Sequence, residues 1–176
     1  IDGNDLTMIL QDLAEWDITY PKRENIPAVD SGDYNNQVSD YSLSYGGTDF
    51  LVYGLDKAWF LAHPEIMEMK KSQELPFLME SGALVIQAHP YREARYIDHI
   101  RLFPRQIHGV EIINANRNEL ENKMAKLYAE NYGLLQFAGS DNHAGKNQKK
   151  LAGMCSKKPI ANEKEFVERV KNGEMN

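Results

Sequence analysis

Asp141 and His143 stand one residue apart in the stretch GSDNH (139–143), directly after the apolar run YGLLQFA. His89 follows ALVIQA (83–88) in the same way, and Asn114 follows VEII (110–113). Imidazole and carboxylate together suit zinc, manganese or iron, and an ion held by them with an open coordination position activates water. Hydrolysis is the chemistry such a set performs. No glycine-rich phosphate loop, serine elbow or well-spaced Cys-His pair competes with it. A bland role is open to each residue taken alone: Asp and Ser are common in strand-to-helix turns, so Asp141 and His143 could simply close one.

These residues need elements that carry them to one place. A short apolar run after a helical pattern reads as a buried parallel strand, whose C-terminal end is where open α/β sheets and barrels keep their chemistry. Strands are expected near 49–54, 83–88, 109–113 and 134–138, mostly parallel over the last three, with their C-terminal ends on one face. Between them, HPEIMEMKKSQELPFLMES (63–81) is helical and interrupted at Pro76, which fits if Pro76 opens a second helix. REARYIDHIRLFP (92–104) reads as a short helix. NELENKMAKLYAENYG (118–133) reads as a longer one, with Leu120, Met124, Leu127 and Tyr128 inward and Gly133 as its stop. NEKEFVERVKNG (162–173) closes the pattern, with Asn162 and Glu165 spaced for a capping box and Gly173 for the stop. Alternating strands and helices imply a mainly parallel sheet. Residues 1–48 are irregular: one helix, with Leu6, Ile9, Leu10, Leu13 and Trp16 on one face, precedes a polar stretch. All 176 residues are expected to form one domain.

The net charge of −6 argues against sequence-independent nucleic-acid binding, because no basic field is available to displace counterions from phosphates. One cysteine, Cys155, excludes an internal disulfide and a cysteine-rich zinc site. No run reaches the length of a membrane span, and IDGNDLTMIL lacks the basic start of a signal peptide, so a cytoplasmic protein is expected.

In order, GALVIQAHPYRE (82–93), GVEIINANRN (109–118) and GLLQFAGSDNH (133–143) resemble the later strands of the PHP superfamily, named for polymerase and histidinol phosphatase. GTDFLVYGLDKAWFLAHPE (47–65) fits the same pattern. The resemblance implies an α/β fold of the distorted, seven-stranded β/α barrel type, with divalent metal ions at the C-terminal face and hydrolysis of phosphate esters. It places metal ligands on His89, Asp141 and His143. Asn114 becomes a contact to substrate or to a neighbouring ligand, Arg92 and Arg117 face phosphate oxygens, and Glu111 faces the barrel interior or orients a neighbour.

The early part of the chain departs from that pattern. Of its histidines, His63, His89, His99, His108 and His143, none is early enough for the His-x-His pair with which the family opens. NIPAVD (25–30) is a worn match to a later family stretch and makes Asp30 the candidate fourth ligand. The barrel is therefore expected to lack its N-terminal strands. Three explanations stay open: a natural loss of half the site, a shortened chain, or residues missing between those given.

Two functional readings follow. One is a metal-dependent phosphoesterase, impaired by its missing ligands, that acts on a small phosphorylated substrate with Arg92 and Arg117 neutralising charge. The other is a non-catalytic relative that binds a metal or anion or serves in assembly. An open sheet edge would favour a homodimer. His63, His99 and His108 are expected in packing or surface roles, Met67, Met69, Met79 and Met124 as core filler, and Lys146 in a solvated loop near any anionic substrate. Arg92 and Arg117 could equally serve structural ion pairs.

Overall fold

The computed structural model describes residues 48–143 and 145–175. Four strands form one mixed sheet in the order β1-β2-β3-β4: β1 (Phe50–Tyr53), β2 (Leu84–Gln87), β3 (Gly109–Asn114) and β4 (Leu135–Gly139). The helices are α1 (Lys57–Ala62), α2 (Lys71–Glu80), α3 (Glu119–Tyr132) and α4 (Glu163–Lys171), with short 3-10 turns at Pro64–Glu68 and Gly145–Asn147. Among the described residues the sheet is open, not a closed barrel. No helix among the described residues is long and apolar enough to cross a membrane.

The three later strands are parallel, as their apolar runs predict. β1 is not: it pairs antiparallel with β2, in a register that sets Phe50 against Gln87. A single crossover helix returns a chain to the end where it began. Here α1 and α2, separated by the 3-10 turn at Pro64–Glu68, lie between the strands. The consequence reaches the site. Asp49, at the start of β1, lies beside the C-terminal end of β2, where its carbonyl accepts from Ala88 N at 3.0 Å.

β2 is buried along its whole length, as expected of an apolar central strand. Leu75 and Leu78 of α2 lie in the core with it, and Phe166, Val167 and Val170 of α4 join them, the Phe166 ring edge-on to Tyr53 at 5.1 Å. Asn162 accepts from Glu165 N and caps α4, while Glu165 reaches back to Ala161 N. Gly173, with φ +71°, ends the helix as expected.

Three local expectations are corrected. Pro76 does not open a helix but sits inside α2. Its ring nitrogen cannot donate to Ser72 O, and that carbonyl instead accepts from Gln106 Nε2 at 3.2 Å. The expected helix at 92–104 is a series of turns. Backbone groups that a helix would use internally are taken by other elements: Glu93 N donates to Glu121 Oε1, Phe103 N to Tyr128 Oη, and Arg101 O accepts from Gln87 Nε2. Third, α3 buries Glu121, Ala125, Tyr128 and Ala129, and leaves Leu120 65% and Leu127 50% exposed, with Met124 also outside. The helix is rotated by about one residue, near 100°, from the face its leucines predict. A full Asn118–Glu121 capping box, with Glu121 also holding Glu93 N, turns that face to the sheet, where two alanines permit close approach.

β3 carries one extra residue between Glu111 and Ile113 relative to β4. In a regular strand Glu111 and Asn114, three apart, would point to opposite faces. The bulge re-aims the strand end, and both side chains are buried on the same side.

Candidate metal centre

The C-terminal ends of β2, β3 and β4 are tied by one hydrogen-bonded chain. His89 N donates to Glu111 Oε2 at 2.9 Å, and Asn114 Nδ2 donates to the same oxygen at 2.9 Å. Asn114 Oδ1 accepts from Asn116 N, and Asn116 Nδ2 donates to Asp141 O at 2.6 Å. Asp141 Oδ1 in turn pairs with His143 Nε2 at 2.9 Å. His89, Asn114, Asp141 and His143 therefore share one end of the sheet.

The turns that hold them are unusual. Among the described residues only His89 (φ +25°) and Asp141 (φ +48°) are non-glycine residues with positive φ. That backbone costs an L-residue of order 1–3 kcal/mol, persists only where its surroundings over-determine it, and clusters at functional sites. At Asp141 the surroundings are visible. Ser140 Oγ exchanges hydrogen bonds with Ala152, donating to its carbonyl at 3.0 Å and accepting from its N at 2.8 Å. Gln148 Nε2 reaches across to Asn116 Oδ1. The loop is closed on both sides.

Glu111 lies beneath this end, 5% exposed. Burial pushes its carboxyl above the ordinary glutamate range, an effect opposed by His89 and by the hydrogen bonds from Asn114 and His89 N. Its Oε1 fills the space beside Gly139, where a Cβ would come within 2.4 Å of it. Any larger residue at 139 would displace the carboxylate.

Asp49 lies in the 47–65 stretch but is not among the ligands nominated from sequence, and the fold brings it to the candidate site. It is 7% exposed, and neither carboxylate oxygen has a hydrogen-bond partner. Its Oδ2 stands 3.3 Å from His89 Nε2 and 3.6 Å from Arg92 Nη1. Two ligands about 2.1 Å from one tetrahedral ion are about 3.4 Å apart. The His89–Asp49 separation thus suits a shared divalent ion better than a good hydrogen bond. Such an ion would also satisfy carboxylate oxygens that accept no hydrogen bond, so the spacing of these two donors fits a divalent metal. Among the described residues no three His, Cys, Asp or Glu side chains converge on one point.

Arg92 is mostly buried, with Nε unpartnered and its guanidinium 5.7 Å from the Tyr96 ring centre. Arg117 is half-buried on the turn after β3, its N donating to Asn114 O and its Nε likewise unpartnered. Asn114, 1% exposed with both ends of its amide committed, supports the site from behind. Lys146 is exposed on the 3-10 turn after His143. Asp30 and the helix face containing Leu6 and Trp16 lie outside the described residues.

The other histidines hold local structure. His63 pairs with Glu65 and packs on Trp59, with ring centres 4.4 Å apart. His99 pairs with Asp98, and His108 Nδ1 accepts from Val85 N at 3.1 Å. Compared with known proteins, the chain matches no family model, no curated protein and no solved structure.

Proposed function

We propose that this chain is a PHP-type phosphoesterase domain, a distorted β/α barrel that hydrolyses a phosphate ester with divalent metal at the C-terminal ends of β2 and β4. The observation that carries the reading is that the two non-glycine residues with positive φ among the described residues, His89 and Asp141, are two of the three ligands that the sequence motifs nominate. The hydrogen-bonded chain through Glu111, Asn114 and Asn116 joins them.

In this reading His89 and Asp49 hold one zinc, manganese or iron ion, and Asp141 with His143 supplies further donors. The metal supplies Lewis-acid stabilisation of phosphoryl oxygens and a water of lowered pKa. Arg92, with Asp49 as its loose counter-ion, and Arg117 neutralise charge on the phosphoryl group. Buried Asn114 and Glu111 keep the strand ends in place.

A second reading, a relative that binds one ion or anion without turnover, is favoured by the pairing of His143 Nε2 with Asp141 Oδ1 at 2.9 Å, apart from the His89–Asp49 pair that is spaced for an ion. An incomplete ligand set removes electrostatic stabilisation worth about a hundred- to a thousand-fold in rate for each lost contributor. Elemental analysis of the purified chain, combined with manganese- or zinc-supplemented hydrolysis of an aryl phosphate, separates the two. Slow turnover that disappears in Asp141→Ala, together with bound metal that falls in His89→Ala, supports the enzyme. Bound metal with no turnover leaves the binding module, and a wild-type chain that holds no metal removes the enzyme and the metal-binding form of the module.

A further inference from the structure

Glu111 neither lines the open face of the site nor belongs to the motif residues proposed as ligands, yet it touches all three strand ends. It accepts from the backbone N of His89 after β2, from the side chain of Asn114 on its own strand, and it occupies the space above Gly139 at the end of β4. His89 is strained at φ +25°, and the peptide that carries this strain donates its N–H to Glu111 Oε2. A turn held in such a conformation needs an outside partner to stay there. We infer that Glu111 is the positioning residue of the site: it locks the strained His89 turn so that Nε2 meets Asp49, and Gly139 is required because only a missing side chain leaves room for the carboxylate.

The inference rests on the metal reading above, and three features of the geometry sharpen it. Both donated hydrogen bonds end on the same oxygen, Oε2, so a glutamine at 111 can keep them by presenting its amide oxygen there. Glu111 can occupy that position because the extra residue in β3 brings it and Asn114 to one side. The third feature is the 2.4 Å approach at Gly139, which makes Gly139→Ala a way to push Glu111 aside without changing any polar group of the site.

The test uses the full chain and zinc alone as probe, with affinity read by calorimetry and ligand geometry by the visible absorption of the cobalt-substituted protein. Groups that orient metal ligands typically cost 10- to 100-fold in affinity when removed, and Glu111→Ala is expected to weaken zinc binding by about that factor. Glu111→Gln is expected to restore wild-type affinity and the wild-type cobalt spectrum. Gly139→Ala is expected to weaken zinc binding in the wild-type background and to add nothing in the Glu111→Ala background, because the two changes act through one carboxylate. If Glu111→Ala lowers the melting temperature but binds zinc as wild type does, Glu111 is only structural and the inference is overturned. Additive effects of the two substitutions overturn the part assigned to Gly139. Absence of zinc binding by the wild-type chain overturns the metal reading itself, a result distinct from both.

Discussion

Asn114 donates from Nδ2 to Glu111 Oε2 at 2.9 Å, although the two residues lie three apart on one strand. The bulge in β3 makes this possible, and the same amide turns its oxygen to Asn116 N. Removing it leaves one buried carboxylate short of a donor and one backbone N–H short of an acceptor. An unsatisfied buried group costs about 1–3 kcal/mol. Asn114→Ala is therefore expected to destabilise the chain by about that amount in urea denaturation. Asn114→Asp places a second carboxylate against Glu111 and is expected to be worse at pH 7 than at pH 5. A variant as stable as wild type at both pH values would show that the amide is not part of the network.

The orientation of α3 can be tested by substitution. Leu120 is 65% exposed and Ala129 fully buried, the reverse of what an apolar stripe suggests. Leu120→Ser is expected to change stability by less than about 0.5 kcal/mol, as at an ordinary surface position. Ala129→Leu overfills the contact between α3 and the sheet and is expected to cost about 1–3 kcal/mol. The opposite ranking in thermal melts would restore the leucine face to the core.

What the sequence made legible follows from which signals are local. The three apolar runs ending at Ala88, Ile113 and Ala138 predict three parallel strands with their C-terminal ends together, and those strands form. The stops at Gly133 and Gly173 were equally readable, because positive φ after a helix selects glycine. Asp49 was not readable as a site residue. Its place depends on β1 running antiparallel, and a parallel β1 would carry it to the far end of the sheet. The α3 face departs from its leucine stripe for a similar reason: its rotation is set by Glu121, which caps the helix and binds Glu93 N at the same time. Glu111 and Asn114 were visible as residues, but their shared face depends on a bulge that no strand period announces.

His108 gives the chain a pH dependence of definite sign. Its Nδ1 accepts from Val85 N, so the folded protein needs the neutral ring, and burial, aided by the charge of Lys171, lowers its pKa below 6.5. The unfolded chain binds the proton first as pH falls. Stability from this group is therefore fully present above the unfolded pKa of 6.5 and declines as pH drops through the window between that value and the folded one. His108→Gln keeps an acceptor but cannot titrate. The stability difference between wild type and this variant is expected to shift against wild type between pH 7.5 and 5.5, as measured by urea midpoints. Parallel curves would mean that His108 is protonated equally in both states.

An ion pair away from the candidate site can be tested in the same way. Lys71 and Glu74 are both fully buried at the start of α2, with Nζ 3.0 Å from Oε1 and 2.9 Å from Oε2, and with Nζ 5.5 Å from the Phe50 ring centre. Burial pushes the Glu74 carboxyl upward while Lys71 pulls it down. Desolvating both charges is costly, and their attraction roughly offsets that cost when the geometry is good. The pair is then strongly coupled without adding much net stability. Glu74→Leu removes the carboxylate and leaves a buried ammonium without it, at an expected cost of about 3–5 kcal/mol. Lys71→Met together with Glu74→Leu removes both charges and is expected to be neutral or to stabilise by about 1–4 kcal/mol. Urea denaturation of the two single variants and the double variant closes the cycle. If the double variant is as unstable as Glu74→Leu alone, the pair contributes net stability and the offset argued here is wrong.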